Sequence, residues 1–135
     1  MGGDARLKLL LDTHIWLWSL QCPERLGTRV RHELAHAGNE LWLSPISTWE
    51  ALTLNVKGRI RIHGNLADWV AKATAPFREA VLTHEISLAA RQLALTQPDS
   101  ADRFLVATTQ VLGLTLVTAD ANLLGLGDIA TLANR

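Results

Sequence analysis

The chain has 135 residues, 48% of them hydrophobic, and this length and composition predict one globular domain, residues 1–135, with a single core. Its 13 basic and 13 acidic residues cancel to a formal net charge of zero, which argues against binding a polyanion through a broadly basic surface. Cys22 is the only cysteine, so no disulfide can form within the chain. The sequence also contains no run of about 20 apolar residues, the length that a membrane-spanning helix needs. We therefore expect a cytoplasmic protein that is not attached to a membrane.

Short apolar segments alternate with longer amphipathic ones along the chain. The predicted strands are residues 7–11, 41–43, 80–82, 114–117 and 129–132, with a further extended piece at 59–62. The predicted helices are residues 13–20, 28–38, 47–57, 65–73, 83–95 and 99–113, and a short one after residue 120. The residues predicted to cap helices are Thr28, Ser47, Asn65, Thr83 and Asp99. Strands separated by helices predict an α/β, three-layer fold, with a central parallel sheet of about four to five strands flanked by helices.

Four acidic residues lie where a predicted strand gives way to a helix or where a helix begins. These residues are Asp12, Glu50, Asp102 and Asp120. The carboxyl ends of parallel strands share one edge of a sheet, and ligands bind in the crevice there. Four carboxylates gathered at that edge would repel one another, and a divalent cation would remove the conflict. The pattern predicts a Mg²⁺ or Mn²⁺ site that acts on a phosphate.

Three of the four acids also have a purely structural explanation as helix caps. The candidate caps are Ser47 paired with Glu50, Asp99 paired with Asp102, and Asp120 alone. Asp12 is different, because it follows five mostly apolar residues and risks burial, which is costly for a charge that is neither paired nor bound to metal. Caps also have no reason to converge on one edge of a sheet, so the joint pattern favours a site.

Four segments that contain these acids resemble the PIN domain family, and in particular the VapC-type toxins of toxin–antitoxin pairs. The segments are Leu-Leu-Leu-Asp-Thr-His at 9–14, Ser-Pro-Ile-Ser-Thr-Trp-Glu at 44–50, Asp-Ser-Ala-Asp-Arg-Phe-Leu-Val-Ala at 99–107 and Val-Thr-Ala-Asp at 117–120. The resemblance implies a Mg²⁺- or Mn²⁺-dependent endoribonuclease that forms a homodimer and is blocked by a VapB-type antitoxin. One departure is Ser100, which stands where the family usually has proline.

The resemblance also assigns roles to the acids. Asp12 and Asp120 are expected to hold a first ion, while Asp102 and Glu50 bind it through water or help to hold a second ion. Asp99 matches a further acidic position that would support the site. In the expected reaction, a water activated by the metal hydrolyses an RNA phosphodiester bond.

Several neighbours of the acids are candidates for supporting roles. Thr13 and Thr118 flank two of the acids and are predicted to orient them through hydrogen bonds. Arg103, beside Asp102, is the candidate for contact with the substrate phosphate, and a salt bridge to one of the acids is the alternative. His14 could touch the substrate, but we expect it to be packed in the first turn of its helix.

Two other patterns and one other function remain as alternatives. The segment His-Glu-Leu-Ala-His at 32–36 matches a zinc-hydrolase motif, but a helical projection places both histidines opposite the apolar stripe, which favours an exposed helix face. The basic residues at 57–63 are predicted to be an exposed helix end more than an RNA contact. The alternative function is a non-catalytic RNA-binding or protein-interaction module with a PIN-like fold.

Overall fold

The computed structural model describes residues 6–94 and 100–135, and five strands lie within these ranges. The strands are β1 (Lys8–Leu11), β2 (Glu40–Leu43), β3 (Arg78–Glu79), β4 (Thr115–Thr118) and β5 (Ala130–Ala133). The α-helices of the same ranges are α1 (Thr13–Gln21), α2 (Thr28–Ala35), α3 (Pro45–Val56), α4 (Leu66–Thr74), α5 (His84–Gln92), α6 (Ser100–Leu112) and α7 (Ala121–Leu124). A short 3₁₀ turn, Pro23–Arg25, follows α1.

The five strands form one parallel sheet in the order β3-β2-β1-β4-β5. The chain builds this sheet outward from β1 to β3, then returns to the other side of β1 to add β4 and β5. The direction of winding therefore reverses between β1 and β4, where Leu11 lies opposite Val117. In open α/β sheets such a reversal leaves a crevice at the carboxyl ends of the two strands, and ligands bind there.

The leucines of β1 show why the fold has three layers. Leu9 and Leu11 are fully buried in a core cluster that includes Trp16 of α1, while Leu10 is fully buried in a second cluster that includes Leu105 of α6. Because successive side chains of a strand point to opposite faces, both faces of the sheet are covered. The predicted α/β fold with a central parallel sheet between helices is confirmed.

Two of the predicted strands are wrong or shifted. Residues 59–62 form no strand, although their apolar and basic residues alternate. The third strand is Arg78–Glu79, just before the predicted 80–82. This strand lies exposed at the edge of the sheet and contains no apolar run that would have revealed it in the sequence. The apolar residues that suggested a strand, at 80–82, follow it directly.

The predicted helix caps are partly right. Asn65 and Thr83 accept backbone hydrogen bonds at the starts of α4 and α5, as expected. Thr28 is not a cap, because α2 begins at Thr28 itself and Gly27 precedes it without a side-chain bond. Ser47 is also not a cap: α3 begins at Pro45, and Ser44 Oγ accepts a hydrogen bond from the backbone N–H of residue 46 at 3.1 Å. The predicted cap at Asp99 falls outside the described residues.

Within residues 6–94 and 100–135, no helix is both long enough and apolar enough to cross a membrane.

Candidate active site

All four predicted acids line one cavity of about 330 Å³ at the carboxyl edge of the sheet. Its lining is Asp12, His14, Trp18, Glu50, Asp102, Ala119 and Asp120. The acids reach it from four places: directly after β1, within α3, in the first turn of α6 and two residues after the end of β4. The cavity therefore lies where the winding of the sheet reverses, which is the position that the sequence analysis expected for a ligand site.

Asp12 ends β1 and caps α1, and both of its carboxylate oxygens are hydrogen-bonded. Oδ1 accepts from the backbone N–H of Thr13 at 2.7 Å, and Oδ2 accepts from the hydroxyl of Thr118 at 2.7 Å. Burial raises the pKa of Asp12 and the nearby Asp120 carboxylate adds to this, while the Thr118 and Thr13 hydrogen bonds and His14 lower the pKa. The net rise means that the fold holds this carboxylate at a cost when it is ionised, and a bound cation would relieve that cost.

Glu50 is held by a pair of buried hydroxyl groups. The Thr13 hydroxyl donates to Glu50 Oε1, and the hydroxyl oxygens of Thr13 and Ser47 are 2.9 Å apart. A hydroxyl has one proton and can still accept, so Thr13 can donate to Glu50 while Ser47 donates to Thr13. The structural explanation of Glu50 as the partner of a Ser47 cap is wrong, because Ser47 lies inside α3 and is fully buried.

Thr118 connects Asp12 to Asp120. While its hydroxyl donates to Asp12, its oxygen accepts from the backbone N–H of Asp120 at 3.0 Å. Asp120 in turn accepts from the backbone N–H of Asn122 through Oδ1 at 2.9 Å and so caps α7. Asp120 is therefore both a helix cap and a member of the acidic cavity, and the two explanations considered for it are compatible.

The structure does not bring every predicted residue to this cavity. Arg103 donates through Nη1 to the carbonyl oxygens of Ala90 and Leu93, both at 3.1 Å, and so binds the end of α5. It is not among the residues that line the acidic cavity. Asp99 lies outside the described residues. Ser100, the departure from the family pattern, is the first residue of α6.

For His14, the packed position that the sequence analysis favoured is wrong. The residue is exposed and lines the cavity, with its ring centroid 6.1 Å from that of Trp18. Residues four apart share one face of a helix, so the position of His14 next to Asp12 and the spacing to Trp18 were the signals available.

The donor set fits a hard divalent cation. Carboxylate oxygens are the ligands that Mg²⁺ and Mn²⁺ prefer, and the cavity has four carboxylates. Within the two described ranges, no three His, Cys, Asp or Glu side chains are close enough together to form a ready-made metal-binding group. An ion in this cavity would therefore need water molecules to complete its coordination, as Mg²⁺ sites in proteins commonly do.

The zinc-like segment has a different geometry. His32 is exposed on α2, but the helix ends at Ala35, and His36 Nδ1 accepts from the backbone N–H of Gly38 at 3.0 Å. Val30 is buried and Leu34 packs on the same core, as the apolar stripe predicted. The described part of the chain supplies no group of three metal ligands around these histidines.

The fold and its cavity define a class of protein: a three-layer α/β protein with an acidic site at the switch point of a parallel sheet, the place where the direction of winding reverses. Comparison with known proteins is more specific, since the PIN domain family model matches residues 9–128. The chain therefore belongs to the PIN domain family. It is similar to Ribonuclease VapC22 of Mycobacterium tuberculosis, with 31% identity over 116 residues that cover 85% of this chain and 88% of the relative.

Solved structures show the same fold. VapBC2 from Rickettsia felis, bound to a DNA fragment from its promoter, matches with a TM-score of 0.70 and 12% identity over 96% of this chain and 100% of that chain. VapBC-1 from nontypeable Haemophilus influenzae matches with a TM-score of 0.67 and 16% identity, over 94% of this chain and 98% of that chain. At such low identities these likenesses establish the fold alone.

Proposed function

We propose that this chain is an endoribonuclease that hydrolyses RNA phosphodiester bonds with the help of Mg²⁺ or Mn²⁺, and that it is the toxin of a VapBC-type toxin–antitoxin pair. The observation that carries the proposal is the meeting of four carboxylates, from four separate parts of the chain, in one cavity at the sheet's switch point. The similarity to a protein named as a ribonuclease supports it.

Each acid has a proposed role in holding the metal. Asp12 and Asp120 follow neighbouring strands and share Thr118, so they are suited to hold a first ion together. Glu50 and Asp102 reach the cavity from helices and would bind that ion through water or help to hold a second. A cation bound there would neutralise charge on the phosphate and lower the pKa of a water.

The remaining residues would keep the carboxylates in position. Thr13 and Thr118 each donate a hydroxyl hydrogen bond to an acid of the cavity, which limits the rotation of the carboxylates. Asp99 is proposed as a supporting acid on the family pattern alone.

The proposed partners are an RNA substrate, a VapB-type antitoxin and a second copy of the chain, all in the cytoplasm. The solved structures of similar fold include a toxin–antitoxin complex from Klebsiella pneumoniae, which supports the antitoxin as a partner. Several large apolar side chains are exposed, among them Trp49 at 62%, Val56 at 86% and Leu88 at 60%. A surface for a partner would need such side chains to form a contiguous apolar patch, since singly exposed apolar residues are normal.

RNA cleavage by the purified protein, free of antitoxin, tests the proposal. Total cellular RNA would be incubated with Mg²⁺, Mn²⁺ or EDTA, using the wild type, Asp12→Asn and the matched control Asp68→Asn. Asp68 is an exposed aspartate on α4 that does not line the acidic cavity. We expect discrete fragments that EDTA abolishes, present with the wild type and Asp68→Asn and missing with Asp12→Asn.

A thermal-shift titration with Mn²⁺ separates the nuclease from the interaction module. We expect Mn²⁺ to raise the unfolding temperature of the wild type and to have a much smaller effect on Asp12→Asn. Cleavage that persists in folded Asp12→Asn would refute the assignment of the site. Neither cleavage nor a metal-dependent shift in the wild type would favour a non-catalytic module.

A further inference from the structure

The acidic cavity would repel RNA unless positive charge lies close to it. One divalent cation balances only two of the four ionised carboxylates, so the others would still repel the phosphates of the substrate. Among the described residues that line the cavity, none is lysine or arginine. Arg103, the arginine expected to contact the phosphate, instead binds carbonyl oxygens at the end of α5. A positive side chain for the substrate would therefore have to lie beside the cavity.

Arg25 lies next to the cavity, stacked on one of the side chains that line it. It is the last residue of the 3₁₀ turn Pro23–Arg25, and its guanidinium carbon lies 4.5 Å from the ring centroid of Trp18. Trp18 is half-buried, packs against the core and lines the acidic cavity. The cation–π contact therefore holds a permanent positive charge at a defined position beside the acids.

The guanidinium of Arg25 is available to a ligand. The side chain is exposed, and toward residues 6–94 and 100–135 its nitrogen atoms form neither an ion pair nor a hydrogen bond. The five N–H donors of a guanidinium lie in its plane, so stacking on an indole leaves them pointing outward. This planar fork matches the oxygens of a phosphate group, which arginine binds through paired hydrogen bonds.

The backbone around Arg25 is fixed by a residue 109 positions further along the chain. Asn134 follows β5 and donates through Nδ2 to the carbonyl oxygen of Arg25 at 3.0 Å. Its Oδ1 accepts from the backbone N–H of Gly27 at 2.7 Å, and its own backbone N–H donates to the carbonyl oxygen of Thr118 at 2.9 Å. Because the hydroxyl of Thr118 donates to Asp12, two residues connect the turn that carries Arg25 with a proposed metal ligand.

We propose that Arg25 binds a phosphate of the RNA substrate close to the one that is cut, and that Asn134 positions Arg25 for this contact. This inference rests on the proposed ribonuclease function. An anchored arginine offsets part of the repulsion from the acids and fixes the substrate relative to the metal site. Because the bound phosphate keeps its charge throughout the reaction, the contact should act mainly on KM.

Replacing single phosphates of the substrate by uncharged methylphosphonates tests the contact. The RNA oligonucleotides would share one bond that the wild type cuts, and each would carry one methylphosphonate at a different phosphate near that bond, never at the bond itself. For the wild type, we expect neutralisation of one particular phosphate to lower kcat/KM on the order of tenfold, the effect of losing a hydrogen bond to a charged group. Arg25→Gln should lower kcat/KM for the unmodified RNA by a similar factor.

Variants of the protein show whether that phosphate acts through Arg25. Arg25→Gln should be insensitive to its neutralisation, because the variant and the modified RNA lack the same contact. Arg25→Lys keeps the charge without the planar fork and should keep part of the sensitivity. Asn134→Ala keeps the arginine but releases its backbone, so it should also keep only part. The matched control is Arg31→Gln, which removes one positive charge from an exposed arginine of α2 and should keep the full sensitivity of the wild type.

The outcomes separate this inference from the function on which it rests. If the wild type cuts RNA and every methylphosphonate costs the same in Arg25→Gln as in the wild type, the phosphate contact is refuted and the nuclease stands. The contact is also refuted if Arg31→Gln loses the same sensitivity, or if Arg25→Gln binds Mn²⁺ more weakly than the wild type. Full sensitivity in Asn134→Ala would refute its positioning role. If the wild type cuts no RNA with any metal, both proposals fail.

Discussion

Removal of the Thr118 hydroxyl should disturb both the stability of the fold and the proposed metal site. Thr118→Val keeps the shape of this fully buried side chain but removes its donor to Asp12 Oδ2 and its acceptor for the N–H of Asp120. The change leaves a charged carboxylate and a backbone N–H each short of one partner, without opening a cavity.

The expected loss of stability is the sum of two hydrogen bonds. A bond to a charged group contributes about 1.5–3 kcal/mol and a neutral one about 0.5–1.5 kcal/mol, so Thr118→Val should lose roughly 2–4 kcal/mol. For a chain of this length, that loss should lower the unfolding temperature by roughly 8–16 °C. The Thr118 hydrogen bond lowers the pKa of Asp12, so its loss should raise that pKa further. Since an ionised Asp12 is needed to hold a cation, Mn²⁺ binding should move to higher pH.

Thermal unfolding without metal, followed by Mn²⁺ titration at several pH values, measures both effects. The matched control is Thr115→Val, which makes the same chemical change in the same strand at a hydroxyl with no side-chain hydrogen bond to the described residues. We expect the control to change stability by no more than about 0.5 kcal/mol. If Thr118→Val and Thr115→Val unfold at the same temperature and bind Mn²⁺ with the same pH dependence, the proposed positioning role of Thr118 is wrong.

Three further substitutions test separate parts of the same reasoning. Asp12→Asn should unfold at a higher temperature than the wild type in EDTA at pH 7, because burial raises the pKa of Asp12 and disfavours its ionised form. The stability linked to that raised pKa is fully present below the unfolded pKa of 3.8 and is lost as the pH rises through the folded pKa. The unfolding temperatures of the wild type and Asp12→Asn should therefore converge at acid pH. A difference in unfolding temperature that does not change with pH would contradict this reasoning. Thr13→Val removes the hydroxyl that donates to Glu50, and calorimetric titration should show Mn²⁺ binding weakened about 10–100-fold, whereas unchanged affinity would show that the hydroxyl has no such role. Ser44→Ala removes the cap of α3 and should cost about 1 kcal/mol in denaturant unfolding with Mn²⁺ affinity unchanged; an unchanged midpoint would mean that the cap does not stabilise the helix.

The fold was predictable where burial leaves a strong pattern and unpredictable where it does not. β1 and β4 are buried on both faces, so their apolar runs located them to within one residue. β3 is two exposed residues at the edge of the sheet, and nothing in its composition distinguishes it from a loop. The start of α3 was misplaced because Ser47 and Glu50 match a capping pattern, although Pro45 suits the first turn of a helix and marks its true start.

The approach of Asp12 and Asp120 to one cavity was predictable because strand ends in a parallel sheet share one edge, whereas Glu50 and Asp102 reach that cavity from helices. Whether a side chain near an acid in the sequence also reaches the cavity depends on the direction in which it points from its helix. Distance along the sequence does not reveal that direction. Arg103 follows Asp102 directly, yet successive helical residues point about 100° apart, so Asp102 faces the cavity while Arg103 reaches the end of α5. For the same reason, the contact of His14 with the cavity was underestimated although its neighbour Asp12 was recognised.

The central place of β1 in the sheet determines when this site can exist during synthesis. β1 leaves the ribosome first and pairs early with β2, but its other edge waits for β4, whose Thr118 is 106 positions from Asp12. Pairing across so much chain is slow, and until it occurs an apolar strand edge stays open to chaperones or to other chains. A chain interrupted before β4 lacks Asp120 and the hydroxyl partner of Asp12. The acidic cavity therefore cannot form until β4 and Asp120 have been synthesised, so a shorter nascent chain would lack the proposed metal site.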